Sequence, residues 1–213
     1  MKKILKFSVI ALITLCWAAM APASVPNQQA FDVVASTQDE VLKQILENRE
    51  QYLEDLDLYF AEIERLLGPR MDFKRIARRV MAKHYKKASA EQRDRFAAVF
   101  KDSLMQLYSK GLLEYENQRI VVLPPKTPKK PNPKKQKVDV ELYTDSGNKF
   151  PISYSMFLTK DAEWKIENVI VNGINIGLTY RNQFARLMKV NKNDIDLVIT
   201  EWSSKVVDTP DAK

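Results

Sequence analysis

The chain has 213 residues, 45% of them hydrophobic and 29% charged, and a formal charge of +7 with one cysteine and one histidine. That length suits one domain with a proper core, and the cysteine and histidine counts exclude a disulfide framework and any site built from several thiolates or imidazoles. The charge points to an anionic partner but argues against nucleic acid, because the excess sits in one short stretch and not along a folded face.

The chain opens with Met1-Lys2-Lys3, an apolar run from Phe7 to Ala19, and the small residues Ala21-Pro22-Ala23. This is the pattern of a secretory signal peptide, residues 1–23, cleaved near Ala23. The run is short of the roughly 20 apolar residues that span a bilayer. Cys16 follows bulky Leu15, which makes it a poor lipoprotein site. The expected mature chain is 24–213: exported, without cysteine, and without an integral membrane segment. It loses Lys2, Lys3 and Lys6 with the signal and keeps a charge of +4.

Helices come next. Thr37 with Glu40 forms a capping-box pattern before Val41, Leu42, Ile45 and Leu46 at helical spacing. The apolar face continues through Leu56, Tyr59, Phe60, Ile63, Leu66 and Leu67 until Gly68-Pro69 stops it. Asp72 can cap a short helix carrying Phe73, Ile76, Ala77 and Val80. Ser89 and Gln92 make a second capping box. It opens a helix with one apolar stripe: Phe96, Val99, Phe100, Leu104, Leu107, Tyr108 and Leu112.

The period then changes to two. Arg119–Leu123 reads as a strand. Val138, Val140 and Leu142 alternate with polar neighbours, as do Phe150, Ile152, Tyr154, Met156 and Leu158, then Trp164 and Ile166. Asp145–Asn148 and Lys160–Ala162 are hairpin connections. Asn172-Gly173 breaks the last strand, and helical spacing returns over 176–190 and 195–202. The expected fold is α+β: a single domain with an antiparallel sheet of about four strands covered by helices on one face.

Between two of these strands lies Pro124–Lys137, PPKTPKKPNPKKQK, with six lysines and five prolines. Without it the mature chain would carry −2. The flanking strands make it a hairpin excursion, and its prolines keep it out of the sheet. Two readings stay open for Lys126, Lys129, Lys130, Lys134, Lys135 and Lys137: contact with an anionic surface, or solubilisation alone.

Catalytic signals are sparse. His84 sits in Lys83–Lys87 at a helix end, where a solvated or capping role is expected. No H-E-x-x-H, P-loop or G-x-G-x-x-G occurs. The pairs Asp55/Asp57 and Glu62/Glu64 fall on exposed helix sides near Arg65. No metal site, cofactor or enzymatic activity is expected.

Two stretches carry a resemblance. One is Tyr85-Lys-Lys-Ala-Ser-Ala-Glu-Gln-Arg-Asp-Arg-Phe96. The other is Trp164-Lys-Ile-Glu-Asn-Val-Ile-Val-Asn-Gly-Ile-Asn175, followed by Tyr180-Arg-Asn-Gln-Phe184. In order and spacing the sequence resembles the MlaC / toluene-tolerance family of periplasmic proteins. The resemblance implies a fold like that of nuclear transport factor 2. It also implies a shuttle carrying phospholipid between the outer membrane and an inner-membrane ABC transporter. Its implied partners are the transporter's substrate-binding subunit and an outer-membrane lipoprotein–porin complex. The chain departs from the family at Ala82, His84 and Tyr85, where Gly, an aromatic residue and Trp are frequent. It departs again at Asn168, Asn172 and Asn175, where Asp, an acid and Ser are frequent.

Exposing the two chains of a lipid to water costs on the order of 20 kcal/mol, at about 0.8 kcal/mol per methylene. A carrier therefore needs an apolar cavity. The candidate walls are the helical stripe Phe100, Leu104, Leu107 and Tyr108, and the sheet face Val140, Leu142, Ile152, Tyr154, Met156, Ile166 and Ile170. By periodicity alone the same residues serve equally as plain core. A non-carrying adaptor of the transporter and a small cone-shaped enzyme are the alternative readings.

Overall fold

A computed structural model gives the fold for residues 26–116, 118–126, 130–144 and 146–205. The expected signal peptide lies outside these described residues, as does Lys129. Among them the elements run α1 (Pro26–Glu54), α2 (Leu56–Leu67), α3 (Phe73–Met81), α4 (Ala90–Leu113), β1 (Arg119–Val122), β2 (Lys135–Tyr143), β3 (Lys149–Leu158), β4 (Trp164–Val171), β5 (Ile174–Asn175), α5 (Ile176–Val190) and α6 (Ile195–Lys205). Short 3-10 turns, Gly68–Arg70 and Ala82–His84, flank α3.

Local chemistry sets most helix ends. The Asp72 side chain accepts from Arg75 N–H and caps α3. Ser89 and Gln92 form the reciprocal capping box of α4. Thr37 does not cap. It lies inside α1, because Ala30 and Val34 upstream pack on the sheet and extend the helix to Pro26. The apolar face expected to run on to Leu67 is split: Asp55 caps a separate α2 by accepting from Leu58 N–H. Arg49 of α1 donates to the carbonyls of Leu113 and Tyr115, which end α4. A cation there satisfies orphan carbonyls and suits the helix dipole.

The sheet is antiparallel throughout, with spatial order β1-β2-β3-β4-β5. Ile120 pairs with Leu142 and Val122 with Val140, so the lysine run joins paired neighbours, as its flanks require. Its end is not loop, however. Lys135 pairs with Phe157 and Lys137 with Ser155, inside β2. Asn172 and Gly173 both have positive φ, 47° and 83°, the geometry of a tight hairpin turn into β5.

Helix α1 covers one face of the sheet: Ala30, Val33 and Val34 meet Val138, Val140, Met156 and Trp164. The expectation of helices on one face alone is incomplete. Met71 bridges the free edge of β4 at Ile166, and Arg75 and Arg79 of α3 reach over the other face to Glu167. The remaining helices bury their own core. Phe96, Phe100, Tyr180, Phe184 and Trp202 form an aromatic cluster among α4, α5 and α6, with Phe96 and Phe184 4.8 Å apart edge to face. The Tyr59 hydroxyl donates to the Ser109 carbonyl at 2.6 Å and ties α2 to α4.

His84 is buried, at 6% exposure, and its ring lies 6.0 Å from Phe184. The expected solvated role is overturned: the 3-10 turn folds the ring into the helical core. Desolvation, with Lys83 and Lys87 nearby, lowers its pKa and favours the neutral imidazole. Ala82, where the resembled family has glycine, sits at φ 47° and bears the strain that glycine avoids.

Candidate functional site

Strand β4 explains where the sheet-face candidates go. Trp164 pairs with Leu158 and Ile166 with Met156, but Val169 pairs with Tyr154 and Val171 with Ile152. Glu167 is the extra residue of a β-bulge, which changes the alternation from even to odd numbers. Ile170 pairs with Ser153 and so falls on the opposite face. The placement of Ile170 beside Ile166 is therefore corrected. The polar pair Glu167-Asn168, followed by three apolar residues, was the signal in the sequence.

The bulge is anchored. Glu167 is 6% exposed and lies 2.8 Å from Arg75 Nε, 3.0 Å from an Arg79 nitrogen and 3.7 Å from Lys135 Nζ. Asn168 Oδ1 accepts from Gly177 N–H, and a Cβ at Gly177 would stand 2.5 Å from that oxygen. The Asn175 side chain accepts from Leu178 N–H and caps α5. The asparagines that depart from the family pattern thus fix the β4–α5 junction.

The other sheet candidates share one face but differ in depth. Val140 and Met156 are buried under α1. Leu142, Ile152, Tyr154 and Ile166 keep accessible surface, as do Ile120 and Val122. Tyr154 is the informative one. It is only half-buried by area, yet its phenol is deep enough that desolvation pushes its pKa up. Tyr154 packs against the apolar cluster of the sheet and α1 while keeping part of its surface accessible. The sheet's main helical neighbours are α1, α3 and α5.

The helical candidates divide. Phe100 and Leu104 are buried in the bundle core, Phe100 5.4 Å from the Tyr180 ring. They are packed core, because the stripe of α4 turns toward α5 and α6 at that level. Leu107 is half-buried. Tyr108 is 43% exposed, but burial of its phenol raises its pKa and its hydroxyl lies 3.3 Å from that of Tyr180. Tyr108 therefore stands at the edge of the bundle core, partly covered.

On the outside, Lys134 and Lys135 line a cleft of about 700 Å³ with Lys74, Arg75, Lys160 and Lys165. Lys137 and Lys126 lie 2.9 and 3.9 Å from Asp139. Desolvation pushes the Asp139 carboxyl up, but hydrogen bonds from Lys137 and Ser153 and the charges of Lys137 and Lys126 together hold it below its ordinary range. Lys126, Lys130 and Lys134 are exposed. Among the acid pairs, Arg65 holds Glu62 with two hydrogen bonds and Lys101 holds Glu64. Among the described residues no cluster of three potential metal ligands occurs, and no helix is long and apolar enough to cross a membrane.

Residues outside the expected set also matter. Val33, Leu158 and Trp164 extend the apolar wall to a second pocket at the end of the sheet. Val33 was legible only once α1 is allowed to begin before Thr37.

An antiparallel sheet backed by α1 and flanked by a helical bundle, with Leu142, Ile152, Tyr154 and Ile166 partly accessible on its apolar face, defines an α+β domain. The chain belongs to the MlaC family: the family model for MlaC protein matches residues 35–204. It is 40% identical over 190 residues to the toluene tolerance protein ttg2D of Pseudomonas putida, covering 89% of this chain and 86% of that one. It is 23% identical over 199 residues to the intermembrane phospholipid transport system binding protein MlaC of Haemophilus influenzae, covering 92% and 91%. Its fold matches that of a phospholipid-binding protein from Ralstonia solanacearum, solved with a phospholipid. The TM-score is 0.73 at 22% identity, over 84% of this chain and 99% of that one.

Proposed function

We propose that this chain is a periplasmic phospholipid carrier. It takes the acyl chains of a lipid into the space bounded by Leu142, Ile152, Tyr154 and Ile166 on the sheet, with Leu107 and Tyr108 on the helical side. It passes the lipid between the outer membrane and an inner-membrane ABC transporter. Its docking partners are the transporter's substrate-binding subunit and an outer-membrane lipoprotein–porin complex. The lipid is cargo, and the protein needs no cofactor and catalyses no reaction on it. The single observation carrying this reading is the run of apolar side chains on one sheet face, Leu142, Ile152, Tyr154 and Ile166, that keep accessible surface beside the part covered by α1. The family relationship supplies the class of cargo.

Native mass spectrometry of protein isolated from the periplasm will show the chain plus about one or two phospholipid masses, and solvent extraction will release them. A bare chain that also fails to take up added phospholipid would sink the carrier and favour a docking adaptor.

The lysine-rich side meets anionic lipid head groups during exchange. Serine at Lys126, Lys129, Lys130 and Lys134 leaves the strand lysines in place. The change will weaken binding to phosphatidylglycerol vesicles severalfold at low salt, and the difference will vanish at high salt. Equal binding by both proteins at low salt would leave these lysines a solubilising role only.

A further inference from the structure

Arg70 ends the 3-10 turn between α2 and α3. It is half-buried, its Nε is shut off from solvent without a hydrogen-bond partner, and no carboxylate pairs with it among the described residues. Its neighbours differ: Arg75 and Arg79 share Glu167, and Arg65 holds Glu62. A guanidinium nitrogen shut off from water without an acceptor is costly, and no carboxylate of the described residues offsets the charge, so an anion at the accessible edge of Arg70 would be favoured.

The surroundings say which kind. Arg70 lines a pocket of about 340 Å³ with Gln29 and Val33 of α1, Leu158 at the end of β3, and Glu163 and Trp164 at the start of β4. Trp164 is 5% exposed, and its indole N–H also lacks a partner. Glu163 is the carboxylate in this lining, and its oxygen lies 3.2 Å from Lys165 Nζ. Two of the lining residues thus carry an unpartnered N–H shut off from solvent, and one of them is a cation. Val33, Leu158 and Trp164 are at the same time members of the apolar cluster that includes Val140, Met156 and Tyr154. One side of the pocket is cationic and the other continues into the apolar sheet face. That combination fits an amphiphile with a phosphate at the junction, since a guanidinium fork matches two phosphate oxygens.

We propose that Arg70 binds the phosphodiester of the cargo lipid in this pocket, with the Trp164 indole N–H as a second donor, while the acyl chains run along the sheet. This rests on the carrier reading above. The pocket accommodates a glycerophosphate group; the chains require the larger interior.

The test uses the delipidated full chain, as wild type and as Arg70→Met, Arg70→Lys and Trp164→Phe. Four probes separate the outcomes: phosphatidylcholine, diacylglycerol with the same chains, glycerol 3-phosphate and inorganic phosphate. Expected is an at least tenfold loss of phosphatidylcholine affinity in R70M, with diacylglycerol unchanged. R70K will fall between wild type and R70M, and W164F will lose a smaller factor. R70M binding phosphatidylcholine as tightly as wild type would overturn the assignment while leaving the carrier intact. So would equal loss of both lipids, which would mark Arg70 as structural. If wild type binds neither lipid, the carrier fails too. If wild type then binds inorganic phosphate and R70M does not, the pocket belongs to a free anion and not to a lipid.

Discussion

Replacing Ile152 by aspartate will empty the protein of lipid. Ile152 pairs with Val140 on one side and Val171 on the other, at the centre of the apolar face, and keeps accessible surface. In the empty protein a carboxylate there meets water at the accessible part of the face, so the domain folds. When acyl chains enter, the same carboxylate must lose its water without gaining a partner. An unpaired buried charge costs several kcal/mol even after relaxation, so lipid affinity will fall by about 100-fold or more. Lipid retained through purification, counted by native mass spectrometry on protein with wild-type near-ultraviolet circular dichroism, is the measure. Aspartate at Ile170, which the bulge sends to the other face, will retain lipid. If I152D keeps its lipid and I170D loses it, the assignment of faces is wrong.

Trp202→Ala will produce the largest loss of stability. Trp202 is fully buried, with ring centroids 5.2 Å from Phe96, 5.8 Å from Phe100, 6.0 Å from Tyr180 and 6.1 Å from Phe184. It is the wedge that holds α6 against α4 and α5. Truncation removes a large apolar area and leaves a cavity that four ring neighbours cannot close, at a cost of about 3–5 kcal/mol. For a chain of this size that corresponds to a Tm lower by about 10 °C. Trp202→Phe will cost much less, because the indole N–H has no partner among the described residues and its removal leaves nothing unpaired. Urea midpoints of the three proteins decide the matter. Similar midpoints for W202A and wild type would mean that α6 is dispensable to the core.

These expectations depend unequally on what was readable beforehand. The α4 stripe and its Ser89–Gln92 cap were legible because helical period and capping chemistry are local properties. So was the antiparallel meander, since side chains in a half-buried strand alternate by geometry. The phase of β4 after Glu167 is only faintly legible, because one extra residue inverts every later side chain while the local alternation looks unbroken up to it. The start of α1 is hidden for a different reason. Thr37 is a competent cap, but the burial of Ala30 and Val34 against the sheet outweighs it. Phe100 and Tyr108 belong to one stripe by spacing, yet only tertiary packing separates core from edge. Arg70 had no signal at all, since its meaning lies in the partner it lacks.

The apolar cluster of the sheet and α1 shares no residue with the two clusters of the helical bundle. Most domains of this size close around one continuous core. Here one helix joins two of the clusters, with Ala30 and Val34 of α1 in the sheet cluster and Val41, Ile45 and Tyr52 of α1 in a bundle cluster, and a bound lipid would add to that joint. A ligand at a hundredfold excess over its Kd stabilises the folded state by about 2.7 kcal/mol, so the loaded protein is the stiffer object and its melting temperature reports occupancy. The same linkage runs in reverse: whatever strains the joint that α1 makes between sheet and bundle weakens the hold on a ligand bound across it by the same free energy.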